Sequence, residues 1–360
     1  ISGLTVGKGG GSLGTNTAVG ASALSGTNTV GYNTAFGYYA LSSTTSGAGN
    51  VGLGYTALQF NTTGSGSVAV GNTALYNNTT GGSNVAVGQQ ALQSNTTASY
   101  NTAVGYQSQY YTTTADNNTS FGATSLYGNT TGTRNTALGQ SALYSNATAT
   151  DNTAVGFTAL FASTGSYNTA VGTQALRFNT TASYNTAVGY QSQYTGTTAT
   201  QNTSLGVQTL YSTTTATNNV AIGHQTMYYN TTGSSNTGVG LAALQSNTTG
   251  SSNTAIGQQA LLSNTTASNN TAVGYQAGYS NTTGGDNVAI GYGALITNTT
   301  ATANTAVGFE AGYYVSGNSN TALGYRALSR GGTPATGTAN TALGQQALYN
   351  NTSASNNTVV

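Results

Sequence analysis

Residues able to move protons are few in this chain: one imidazole, His224, and four carboxylates, Asp116, Asp151, Asp286 and Glu310, among 360 residues. An imidazole between a hydroxyl and a carboxylate would activate a nucleophile, and two facing carboxylates would serve glycoside hydrolysis. Position in the chain argues against both. From Asn16 onward the motif N-T-A-V-G returns every 17 residues for twenty copies, so every residue has a phase, and residues of like phase stack. With the leading Asn as position 1, His224 falls at position 6. The nearest acid by phase, Glu310, falls at position 7 five copies away, roughly 24 Å at about 4.8 Å per rung. Asp116, Asp151 and Asp286 are as widely dispersed, at the outward-facing positions 16 and 17. The sequence therefore predicts no enzyme. It predicts no cofactor and no metal either, since there is no Cys and no carboxylate on every rung of the kind calcium-binding solenoids need.

Three recurring features could bind something. Position 10 carries aromatic rows, Tyr110, Tyr127, Tyr144 and Phe161 on four successive copies and Tyr194, Tyr211 and Tyr228 on three. Stacked rings either offer a platform for sugar rings or stabilise parallel strands. Asn-x-Thr/Ser recurs at position 12, including Asn61, Asn78, Asn95, Asn129, Asn179, Asn247, Asn281 and Asn298. These are glycosylation acceptors in a eukaryotic secretory setting, or simply good turn formers. Rows of Thr at positions 13 and 14 would bind ice only on a regular flat face, and they sit where the copies vary in length. The Asn at position 1, including Asn84, Asn101, Asn118, Asn135 and Asn152, is different in kind. Its recurrence fits a stacked amide ladder inside the coil, each side chain bonding its equivalent on the next rung.

The elements that hold these rows must fit in 17 residues, too few for a helical hairpin, and Gly at position 5 with β-branched neighbours disfavours helix. Two short strands and a loop fit: positions 1 to 4, a turn at Gly88, Gly105, Gly122, Gly139, Gly156 and their equivalents, positions 6 to 10, then a return loop. Equivalent strands would pair in parallel, giving an all-β parallel β-solenoid with one coil per repeat. Positions 3 and 4, and again 8 and 9, are all restricted to apolar or small residues. In strands, neighbours point to opposite faces, so both faces read as buried. That pattern predicts several chains sharing one core with their small-residue faces inward, and a homotrimer is the expected number. Residues 1–15 read as a degenerate first rung and Gly-rich joint, 16–356 as the array with a long loop at 329–339, and 357–360 as the start of a further repeat. The chain begins at Ile1 and ends at Val360 inside a repeat, so a segment of something longer is expected.

Five basic and four acidic side chains give neither the basic stripe of a nucleic-acid binder nor a grip on anionic lipid, and no apolar run is long enough to span a membrane. The few charges do carry phase. Arg134 and Asp151 share position 17 on successive copies, and Glu310 and Arg326 share position 7, so a 17-residue coil predicts two rung-to-rung ion pairs.

The segments N-V-A-V-G-Q-Q-A-L from Asn84 to Leu92 and N-V-A-I-G-Y-G-A-L from Asn287 to Leu295 resemble the head repeats of trimeric autotransporter adhesins, the YadA-like or Hep_Hag repeats. Similar N-T-A-V-G-Y-Q-A-L arrays occur in predicted phage tail-fibre proteins. The resemblance covers Asn16 to Val360 and implies a left-handed β-roll assembled as a homotrimer, working as a stiff extracellular module. The period here is longer than the adhesin family's, and neither a heptad stalk nor an anchor barrel is present in the sequence. The expected function is a structural fibre shaft on a virion surface, a phage tail fibre that spaces a receptor-binding tip from the particle. The alternative is a bacterial surface adhesin or extracellular filament whose lateral face binds glycans or a host surface. Its expected partners are further copies of itself and a cell-surface glycan or receptor, with no nucleic acid and no membrane insertion.

Overall fold

In a computed structural model, which describes residues 6–329 and 335–360, the chain is all-β and folds as a parallel β-solenoid. It divides into two compact units, residues 1–181 and 182–360. In the first, ten three-residue strands run from β2 (Thr17–Val19) to β11 (Thr169–Val171), all parallel to their neighbours. In the second, a stack of the same kind runs from β12 (Thr186–Val188) to β21 (Thr341–Leu343) and ends on the short β22 (Thr358–Val359). Register follows the repeat: Thr102, Ala103 and Val104 lie opposite Thr119, Ser120 and Phe121. It survives the irregular copies, with Thr153 paired to Thr169, Thr305 to Thr321, and Thr321 to Thr341. Length changes are absorbed after position 9, where no strand has to be kept in step. The long loop expected at 329–339 lies partly outside the described residues, and on its far side Ala335 bridges to Val315.

Only one strand forms per coil. The second strand expected at positions 6 to 10 is a run of turns, because the residues at positions 7 and 9 adopt left-handed backbone conformations, as Gln90 (φ 63°) and Leu92 (φ 50°) do. An extended strand cannot contain such residues. The turns still bond from rung to rung. In the copy at Asn84, the N–H groups of Val85, Leu92, Ser94 and Thr96 donate forward to Asn101, Ser108, Tyr110 and Thr113, while those of Gly88, Gln90 and Tyr100 donate back to Val70, Asn72 and Gly82. Donors alternate in direction around the coil, so every rung is tied to both neighbours.

The core lies inside each coil. Ala at position 3 and Ala–Leu at positions 8 and 9 are fully buried, as Ala86, Ala91 and Leu92 are. The alternating turn conformations aim both 8 and 9 inward, so their joint restriction does not require a second packed face. At positions 2 to 4 the strand alternates normally, with 3 inside and 2 and 4 outside. The small residues thus fill the chain's own core, and the expectation that they face a shared axis between chains is overturned. Where Gln109 replaces Leu at position 9, a polar cluster takes over: its amide nitrogen donates to the Thr102 carbonyl and to Ser120 Oγ, and Ser108 bonds to Ser120 and Ser125. The buried amide nitrogen thus finds partners, while its Oε1 has none.

At the start, β1 (Val6–Gly7) pairs antiparallel with β2, so it does not continue the stack backwards. The Gly10 N–H donates to Leu24 O at 2.8 Å. That contact folds the glycine-rich stretch over the first rung.

Candidate functional site

The position-1 Asn row is buried throughout, and its bonding is mainly from side chain to main chain. Oδ1 of Asn84 accepts from the N–H of Asn101 at 2.9 Å, and Oδ1 of Asn101, Asn118 and Asn135 repeat this with Asn118, Asn135 and Asn152. The amide nitrogen donates within its own coil, Asn84 to Ala98 O and Asn135 to Ala149 O. Each side chain therefore clamps the corner where one coil closes onto the next, and its burial keeps it out of a ligand's reach. The Gly row at position 5 is also structural. Gly139 and Gly156 have φ of 133° and 135°, and each α-carbon faces the next rung's glycine carbonyl.

The position-12 residues form a second internal ladder. Asn61, Asn78, Asn95, Asn129 and Asn247 are completely buried. Asn78 donates to Asn61 Oδ1 at 2.8 Å and to Gly81 O at 2.8 Å, Asn95 donates to Asn78 at 2.7 Å, and Asn247 to Asn230 at 2.8 Å. Sites read as surface acceptors for glycans are therefore core amides, unreachable in the folded chain. At position 13, Thr79 and Thr96 donate their hydroxyls to Thr96 O and Thr113 O on the following rungs.

Chemistry-bearing side chains do not converge. His224 is exposed on its rung, and among the described residues no three His, Cys, Asp or Glu side chains gather where they could hold a metal. The charges pair as their phases require. Arg134 meets Asp151 in a two-pronged contact at 2.7 and 2.9 Å, and that hydrogen-bonded guanidinium holds the Asp151 carboxyl below its ordinary range. Arg326 Nε lies 2.6 Å from Glu310. The shallow pocket around this second pair is lined by Tyr313, Tyr314 and Tyr349, and its opposite charges neutralise each other.

The outer faces carry what remains. Tyr110, Tyr127, Tyr144 and Phe161 stack with centroids 5.0 to 5.4 Å apart and planes within 17°, and Tyr194, Tyr211 and Tyr228 stack at 5.0 and 4.8 Å. Arg177 caps the first row with its guanidinium 6.0 Å from the Phe161 centroid. With rings this close and stacked face to face along the row, the exposed surface is a set of ring edges instead of a broad face. A second aromatic row, absent from the sequence reading, occupies position 6, where Tyr275, Tyr292, Phe309 and Tyr325 stack at 5.1 to 5.4 Å. Its signal was the same phase count applied one turn earlier in the repeat. Beside it, position 4 turns Phe36, Phe121, Leu205, Ile256 and Leu323 outward, 40 to 56% exposed.

The chain matches no family model and no curated protein sequence.

Proposed function

We propose that this chain is the shaft of an extracellular fibre, a phage tail fibre that holds a receptor-binding tip away from the particle, with several copies, three by expectation, lying side by side. The supporting observation is the outward strand face. Each unit presents about ten rungs of an apolar position-4 side chain flanked by Thr or Val at position 2. At about 4.8 Å per rung and roughly 10 Å width, that is on the order of 480 Å² of outward sheet per unit, the size of the largest apolar patch a typical monomer leaves open. A parallel face in water on one side is unusual, and covering it with the same face of another copy would remove it from solvent. The near absence of charge leaves nothing to repel such copies.

Light scattering on the purified chain is expected to give about three times the 35.8 kDa chain mass. Changing Val87, Val104 and Phe121 together to Asp places three charges on the outward face, none in the core, and is expected to reduce the particle to one chain with its circular dichroism unchanged. A wild-type chain that stays monomeric at micromolar concentration would sink the side-by-side arrangement. For the shaft role itself, immunogold labelling of particles against this chain should decorate a fibre between particle and tip; label at the tip or inside the particle speaks against it.

A further inference from the structure

Gly9, Gly10 and Gly11 have the composition of a flexible joint, yet all three are packed against the main chain of the first coil. A Cβ on Gly9 would lie 2.6 Å from the Leu24 carbonyl oxygen, one on Gly10 2.6 Å from Ser25 O, and one on Gly11 2.9 Å from Asn28 Cβ. Gly10 and Gly11 have no positive φ, so close contact is what requires glycine there. The segment crosses the open side of that coil. β1 pairs with β2 through Val6–Val19 and Gly7–Ala18, the Gly10 N–H donates to Leu24 O, and the Tyr32 N–H donates to Thr15 Oγ1 at 3.3 Å.

Inside the stack, the N–H at position 17 donates to the preceding rung and the carbonyls at positions 8, 10 and 13 accept from it, as those of Tyr100, Ser108, Tyr110 and Thr113 do. In the first coil the same groups belong to Tyr32, Ala23, Ser25 and Asn28, and no coil of the array precedes them. Left bare, they would form a sheet edge, and because every copy repeats one bonding pattern, that edge would fit a rung edge of another chain. Residues 6–15 lie over it instead. Leu24 and Ala18 are 0 and 2% exposed, whereas in the copy at Asn340, overlain among the described residues by 357–360 alone, Ala347 and Leu348 are only half-buried. The edge that replaces it is a poor template. β1 is two residues long, runs antiparallel and is followed by the exposed Lys8, and short strands and lysines are what native sheet edges use to discourage pairing.

We propose that residues 6–15 are a built-in cap that keeps a second copy of this chain from stacking on the first coil. With the cap gone, Leu24 and the main-chain groups around it are covered by a rung edge of another copy, and chains join end to end. This contact is separate from side-by-side association, which uses the outward strand face and not the end of the stack.

Removing residues 1–13 is expected at least to double the mass measured by sedimentation at micromolar concentration, with particles lengthened end to end in negative stain and the circular dichroism per residue unchanged. Gly10→Val combined with Gly11→Val keeps every residue in place, drives the cap off by collision with the first coil, and should have the same effect. Gly14→Ala, whose Cβ would meet only Lys8 Nζ at 3.9 Å, should leave the mass as it is. A truncated chain that retains both its strand signal and the intact chain's mass would overturn the assignment, as would growth in mass without lengthening, or equal growth in the Gly14 variant. Loss of the strand signal in both cap variants would overturn it too, because the segment would then be holding the array up and not shielding its edge. Adding the truncation to the Val87, Val104 and Phe121 to Asp variant keeps the two contacts apart: end-to-end joining should persist where side-by-side contact is broken.

Discussion

Gly139 shows how tightly one residue can be constrained by stacking. Its φ of 133° lies where an L side chain is rarely found, and a Cβ built on it would sit 2.6 Å from the carbonyl oxygen of Gly156 on the next rung. Two independent penalties therefore act at one site: backbone strain and a clash with main chain that cannot swing away. Gly139→Val is expected to destabilise by about 3 kcal/mol or more, read as a lowered urea midpoint. Gly49 is the control, since it too has positive φ, 68°, but no atom within 4 Å of its Cβ site; Gly49→Ala should cost only about 1 kcal/mol. Equal effects at the two positions would mean that strain alone, without contact, explains the invariant column.

The coil as an element depends on its internal ladders, and here legibility in the sequence divides by physical cause. The Asn column at position 1 could be read because an amide kept at a fixed phase in every copy but the one at Ser67 has few other uses. The equally buried amides at position 12 were misread because N-T-T has the composition of a loop, and composition does not say which side of the backbone a side chain takes. The second strand failed for a related reason: left-handed conformations at Gln90 and Leu92 carry no Gly or Asn to announce them. Rung-to-rung hydrogen bonds and a filled core sustain that conformation where local preference would not. Removing a ladder member tests this dependence. Asn135→Ala leaves the buried Asn152 N–H without its acceptor, while Ala149 O keeps a donor in Asn146. One orphaned group and a small cavity predict a loss of about 2 to 4 kcal/mol by chemical denaturation.

The aromatic row makes a pH-dependent contribution at the same scale. Burial pushes the Tyr127 phenol from 10.0 up to about 12, with help from its hydrogen bond to Tyr111 and the neighbouring phenols. The folded chain then keeps a proton that the unfolded chain releases near 10. Stability from this group is complete below pH 10 and is lost as pH rises towards 12. Phenolate absorbance should show a late-titrating fraction that shrinks in Tyr127→Phe, and that variant's denaturation midpoint should fall less steeply between pH 10 and 12. A wild-type titration with every tyrosine ionising near 10 would contradict the packing of this row.

For the molecule, the rung is the unit of both stability and length, because contacts run to nearest neighbours and hardly beyond. Excising residues 253–269 removes one whole copy and should bring β15 (Thr237–Val239) against β17 (Thr271–Val273) in the same register, with the Asn270 N–H donating to Asn236 Oδ1 in place of Asn253 Oδ1. Folding should survive and amides 271–273 should stay protected from hydrogen exchange. Excising only residues 262–269 cuts the return path from Leu261, so the coil cannot close and the Asn ladder is broken at that corner. Natural copies that deviate in length keep their register with changes confined to the same stretch, but none dispenses with it. Amides 271–273 in the shorter excision are therefore expected to exchange rapidly while the flanking rungs remain protected. If the two excisions behave alike, stacking does not proceed one 17-residue coil at a time, and the addition or loss of whole copies could not tune the length of the stack without disturbing the fold.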